Sequence, residues 1–141
     1  MKFLILNGPN LNMLGVRKKE HYGTFTLKEL ENHIDYYCKD KYETEFFQSN
    51  HEGALIDKLH CTSSDCVVLN AGAYTHYSYA LKDAIECCKA PVIEVHISKI
   101  SEREDFRKIS VIRDVCICSI EGFGMDSYIK AIEYFIKNNK N

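Results

Sequence analysis

Nowhere does this chain carry the run of about 18 apolar residues that a membrane-spanning helix needs, and that excludes a helical membrane protein. Met1-Lys2 leads into an apolar run that soon meets polar residues, too short for the core of a signal peptide, so a soluble, cytoplasmic protein is expected. Positive charge is not in excess either. Eighteen Lys and Arg stand against 20 Asp and Glu, a net charge of -2, and no aromatic residues interleave with a basic cluster, which disfavours nucleic acid as a partner. No Cys-x-x-Cys pair occurs, and the vicinal Cys87-Cys88 has no histidine at zinc-finger spacing, so no metal centre is expected. Repeats, low-complexity tracts and linkers are missing as well.

What is present is ordinary globular material. With 141 residues, 45% hydrophobic and 27% charged, the chain is expected to fold as one domain over 1–141, long enough to bury a real core. The seven cysteines are odd in number, and Cys66, Cys116 and Cys118 lie inside apolar runs. Free thiols acting as small hydrophobes in a reduced compartment are the expected reading.

Strands alternate with helices along the whole chain. The first strand is read at Lys2 to Leu6, and a helix opens at the capping box Thr26 with Glu29 and runs to about Lys39. A second strand, Tyr42 to Phe47, alternates partly and suits a sheet edge. Then come a helix over about Glu52 to Cys61, a strand at Cys66 to Asn70, a helix from about Ser78 to Cys88, and a strand at Val92 to His96 after Pro91. An irregular stretch with a short helix capped by Ser101 and Glu104 leads to a fifth strand, Val115 to Ile120. The last helix begins near Asp126, and its Tyr128, Ile132, Phe135 and Ile136 share one face, assigned entirely to core. Five strands joined by helical crossovers specify an α/β fold, a flavodoxin-like, doubly wound five-stranded parallel sheet with helices on both faces.

In such a sheet the strand C-termini line one crevice, so Asn7, Asn70 and His96 are expected to converge there. A phospho-acceptor domain would need Asp at the end of the third strand, where this chain has Asn70. A flavin or dinucleotide site would need a glycine- or hydroxyl-rich turn after the first strand, and Gly8-Pro9 instead places a residue with no amide donor there. The loop from Asn7 to about Thr24 carries Asn7, Asn10, Asn12, Arg17 and Tyr22: neutral donors and acceptors, a fixed cation and a phenol, a set fit for acid/base chemistry on a polar anion. A connection this long in a compact domain is usually a functional lid or a disordered segment. Tyr22 serves either chemistry or loop anchorage. Glu94 and His96 are two apart on a strand, hence on one face, so the carboxylate can fix the imidazole's tautomer and keep it able to donate a proton. A satisfied structural histidine is the competing reading. His76, just before a helix, fits either a cap or a ligand contact.

Five ordered blocks then carry a resemblance over essentially the whole chain. They are Asn7-Gly8-Pro9-Asn10-Leu11-Asn12 with Leu14-Gly15 and Arg17; Tyr22-Gly23; Gln48-Ser49-Asn50-His51-Glu52-Gly53; Asn70 with Gly72-Ala73-Tyr74-Thr75-His76; and Glu94-Val95-His96-Ile97-Ser98 with Arg107. The chain resembles the type II 3-dehydroquinate dehydratases. The resemblance implies a hydro-lyase of the shikimate pathway that converts 3-dehydroquinate to 3-dehydroshikimate without metal or organic cofactor. It makes Tyr22 the base for the C2 proton, Arg17 the cation beside it, and His96, supported by Glu94, the acid for the departing C1 hydroxyl. Asn10 would hold a water that steadies the enolate. Asn70, Gly72, His76, Ile97, Ser98 and Arg107 would bind substrate, and Asp83 would reach the site from a neighbouring subunit, since similar enzymes are trimers packed into dodecamers.

The chain departs from the pattern at Lys19, where the lid usually has Pro, at Ala71, usually Pro, and at Tyr77, Lys99 and Ser101, usually Thr, Asn and His. These departures bear on lid stiffness and affinity more than on the reaction. A related enzyme for another cyclic polyol acid, or a non-catalytic sensor, would share much of this residue set.

Overall fold

The apolar run at the start of the chain sends its side chains alternately to two faces, and the fold follows from covering both. In the computed structural model, which describes residues 1–139, β1 (Lys2–Asn7) is followed by β2 (Glu43–Gln48), β3 (Cys66–Asn70), β4 (Val92–His96) and β5 (Cys118–Glu121). They form one sheet, ordered β2-β1-β3-β4-β5, with every pair parallel. This is the flavodoxin-like order, and the chain reverses direction across the sheet between β1 and β3. Residues 140 and 141 of the expected domain lie outside the described residues.

Phe3 and Ile5 point to one side, into a core with Leu30 and Ile34 of α2 (Leu27–Cys38) and Tyr128, Ile132 and Phe135 of α6 (Asp126–Asn138). Leu4 and Leu6 point to the other, against Leu55 and Leu59 of α3 (Glu52–Cys61) and Leu81 and Ile85 of α4 (Tyr79–Cys87). Two buried faces explain why β1 and β3 read as nearly continuous apolar runs and β2, at the edge, does not; β4 is buried throughout as well, Glu94 and His96 included. Thr26 caps α2, its Oγ1 accepting from the Glu29 amide at 3.1 Å, and Ser78 caps α4 through the Leu81 amide at 3.0 Å. All seven cysteines are free, and among the described residues no helix is long and apolar enough to cross a membrane.

Four expectations need correction. The fifth strand starts at Cys118, not Val115: Arg113–Val115 form a 3-10 turn in which the Cys116 amide donates back to the Arg113 carbonyl at 3.2 Å, so the β-branched Val115 packs from a turn. The Asn7–Thr24 connection is not an open loop. It contains a 3-10 turn at Leu11–Met13 and a single helical turn, α1 (Lys19–Tyr22), closed by Gly23 at φ 73°. Ser101 caps no helix. It lies within a 3-10 turn, Ile100–Glu102, and its hydroxyl donates to Glu121 Oε1 at 2.7 Å, while α5 (Asp105–Lys108) follows Glu104 without a side-chain cap. Finally, Tyr128 is buried with its face of α6 but is more than core, as the site makes plain.

Candidate active site

The strand ends build the floor. Asn7 and Asn70 stand side by side in the β1–β3 register, both buried. The phenol of Tyr128 rises beneath them, donating to Asn7 Oδ1 at 2.7 Å and accepting from Asn70 Nδ2 at 2.9 Å. Burial pushes this phenol up from its ordinary range, against the Asn70 hydrogen bond, so it stays protonated and works as a fixed donor and acceptor. Asn70 Oδ1 accepts from the Gly72 amide at 3.1 Å, so the side chain's oxygen holds the loop after β3 while its amide nitrogen is given to Tyr128.

Above this floor lies a small cavity lined by Leu11, Arg17, Tyr22, Asn70, Gly72, Ala73, His76, His96, Ile97, Ser98, Ile100, Arg103 and Arg107. Three guanidiniums and two imidazoles converge there, and among the described residues no carboxylate lines it, a field suited to an anion. With about 30 Å³ of space, it holds roughly one water molecule and no cyclic acid. A larger cavity, about 420 Å³, lies against it and shares Tyr22, Ile97, Ser98 and Arg103, its other walls including Glu20, His21, Lys99 and Glu102. The smaller space is the chemical one: Arg17, His76, His96 and Arg107 face only it. Tyr22 and Arg103 stand at the boundary between the two spaces.

Tyr22 is buried and held by two cations. Arg103 Nη1 donates to its Oη at 2.6 Å, and the Arg17 guanidinium stacks over its ring, 3.8 Å from the centroid. Burial pushes Arg17 down from the usual guanidinium range, and the Arg103 and Arg107 charges add to this, while Tyr22 opposes it. His96 is buried at the end of β4. Its Nε2 sits 3.1 Å from Glu94 Oε2, off the line of a good hydrogen bond. Glu94 itself is fully buried. Burial would raise its carboxyl, but the His96 contact and the Ser110 and Ser119 hydroxyls outweigh that and hold it at about 2. His76 is not a cap: its Nδ1 lies 2.7 Å from the Ile109 carbonyl, which only accepts, so Nδ1 carries the proton. Burial lowers the His76 imidazole, opposed by that hydrogen bond, and His96 and Arg107 lower it further.

Of the residues expected to meet, Arg17, Tyr22, Asn70, Gly72, His76, His96, Ile97, Ser98 and Arg107 share the cavity. Asn10 is not among its lining residues. It is exposed in a left-handed turn, φ 66°, with its amide donating to Asn50 Oδ1 at 3.0 Å. Asp83 is exposed on α4, also outside the cavity. Lys99, exposed and 3.3 Å from Glu102, is not the desolvated amine a Schiff base would need. Two contributors escaped the sequence reading. Arg103 sits in Glu102-Arg103-Glu104, a pattern indistinguishable from a solvated charged surface. Tyr128 left a faint signal, since a buried tyrosine usually finds a partner for its hydroxyl.

The chain matches the family model described as dehydroquinase class II over residues 1–136. It is 51% identical over 138 residues to the 3-dehydroquinate dehydratase of Thermotoga maritima, covering 97% of this chain and 96% of the relative. The Bacillus licheniformis 3-dehydroquinate dehydratase is also 51% identical, over 139 residues, covering 96% of each. Among solved structures, the type II dehydroquinase of Butyrivibrio crossotus superposes with a TM-score of 0.93 at 50% identity, covering 96% of this chain and 97% of that one. That of Propionibacterium acnes gives 0.92 at 36% identity and 96% of each.

Proposed function

The chain belongs to the class II dehydroquinase family, a hydro-lyase family acting on 3-dehydroquinate in the shikimate pathway, and on that premise we propose how its own residues carry out the dehydration. The phenolate of Tyr22 takes the C2 proton, which is acidic because the C3 carbonyl can hold the resulting charge as an enolate. The enolate then expels the C1 hydroxyl, which leaves as water with a proton from His96, and a C1–C2 double bond forms in conjugation with the carbonyl. A free phenol, titrating near ~10, is only about one part in a thousand ionised at neutral pH, so a phenolate base needs cations at its oxygen. The single observation that carries the reading is Arg103 donating to Tyr22 Oη at 2.6 Å with Arg17 on the ring, across one cavity from His96.

The remaining residues fit binding and support. Arg107 and His76 face the substrate's anionic and hydroxyl groups, with Asn70, Gly72, Ile97 and Ser98 around them. Asn10, exposed on the loop, is assigned the water that steadies the enolate. Glu94 holds His96. Asp83, exposed and outside its own cavity, serves a neighbouring copy in a trimer that packs into a homododecamer, in the cytoplasm. The direct test is absorbance of the conjugated enone after adding 3-dehydroquinate. Wild type should generate it without added metal or cofactor, and Tyr22→Phe should lose at least about a hundredfold in kcat, the scale of general base catalysis. A Tyr22→Phe enzyme of wild-type kcat contradicts the assignment.

A further inference from the structure

Glu94 has four polar neighbours, and three of them stand outside the cavity. Ser110 Oγ donates to its Oε2 at 2.5 Å, Ser119 Oγ to Oε1 at 2.7 Å, and Arg113 Nε to Oε1 at 3.2 Å, while His96 Nε2 stands on the cavity side. Arg113 reaches in from the surface, its side chain 45% exposed against 0% for Glu94. A carboxylate beside an imidazole acts in two opposed ways. It fixes the ring, which an acid in a reaction step needs, and its charge stabilises the imidazolium, which makes the ring slower to give the proton up. A cation on the far side of the carboxylate keeps the first effect and weakens the second.

We propose that Arg113 is a positioning residue for the dehydration: from the surface it clamps Glu94 and offsets its charge, so that His96 is held in place yet remains a competent acid. This rests on His96 being the acid of the reaction. The other groups facing the pair do not supply that charge. Arg107, from α5, is 3.0 Å from Glu104, Asp114 is 3.1 Å from Lys82, and burial pushes the Cys116 thiol up to about 12, so it stays neutral. His76 faces the cavity with its Nδ1 proton given to the Ile109 carbonyl.

The test is kcat and KM against pH for wild type, Arg113→Ala and Arg113→Lys, with the Ala change repeated in a Glu94→Gln background. Arg113→Ala should lower kcat about three- to tenfold and leave KM within about twofold, and its alkaline limb should move up by about half a pH unit, the scale of a half-exposed pair. Arg113→Lys should recover most of the loss, because a single contact and a charge are what is asked of it. In the Glu94→Gln background the Ala change should do almost nothing. Arg113→Gln carries the same comparison if the Ala variant does not fold. An active wild type whose pH profile Arg113→Ala leaves unchanged, or an equal loss in both backgrounds, overturns the role of Arg113 alone. A wild type that forms no enone overturns the acid assignment beneath it.

Discussion

Tyr22 has two cations with different jobs. Arg103 meets the oxygen, where phenolate charge concentrates, whereas Arg17 covers the ring face at 3.8 Å, where the attraction is to the π-system and, desolvated, is about 2 kcal/mol or more. Removing Arg103 should therefore hurt ionisation of the base most, and removing Arg17 should loosen the ring and its charge environment. Arg17→Lys should rescue little, because an ammonium on a flexible stem does not reproduce a stacked planar fork. Beneath the site, Tyr128→Phe leaves Asn7 Oδ1 and Asn70 Nδ2 buried without their phenol. The expected loss is about 1–3 kcal/mol of stability in denaturant melts, with reduced activity because Asn70 lines the cavity. Loss of less than a few tenths of a kcal/mol would mean that the amides re-pair, and the phenol is then not what holds the floor.

At the scale of elements, the segment expected to move is the lid. Tyr22 ends α1, a single turn between Gly15 at φ 93° and Gly23 at φ 73°, and the cavity it lines has about 30 Å³ of space, so substrate entry is expected to displace Leu14–Gly23. Amide exchange through this segment should slow when substrate or a carboxylate inhibitor binds, and equal protection with and without ligand contradicts the lid. The sequence foretold the elements that two-sided burial dictates: β3 and β4 to the residue, α3 to the residue, α2 through its Thr26 cap, and α4, read from about Ser78 to Cys88, to within a residue at each end. It misplaced the start of β5 because Val115 and Ile117 carry strand-like side chains, and what decides there is a turn bond from Cys116 to Arg113. Within the site, strand-end residues were legible because parallel topology gathers strand C-termini. Arg103 was not, since its burial depends on how the segment after β4 folds back over Tyr22.

For the whole molecule, stability and assembly give two further expectations. The carboxyl of Glu94 is held at about 2 against an ordinary 4.5, so it stabilises the fold above about pH 4.5, and that contribution fades as pH falls toward 2. Wild type should melt above Glu94→Gln near neutrality, with the gap closing in acid; a gap that stays constant from pH 7 to pH 2 would remove Glu94 from the acid sensitivity. If Asp83 serves a neighbour, Asp83→Ala and Tyr22→Phe, each nearly inactive alone, should regain activity when refolded together, and a fully active monomer by light scattering would exclude a shared site. The central claim remains that cations make Tyr22 a base opposite His96, and the pH dependence of kcat for wild type, Arg17→Ala and Arg103→Ala tests it most directly. The account predicts a loss of about a hundredfold or more at neutral pH for both variants, with Arg103→Ala recovering as pH rises and the phenol ionises unaided. If both variants raise only KM and leave kcat and its pH midpoint where they are in wild type, the arginines are substrate clamps and the activation of Tyr22 is contradicted.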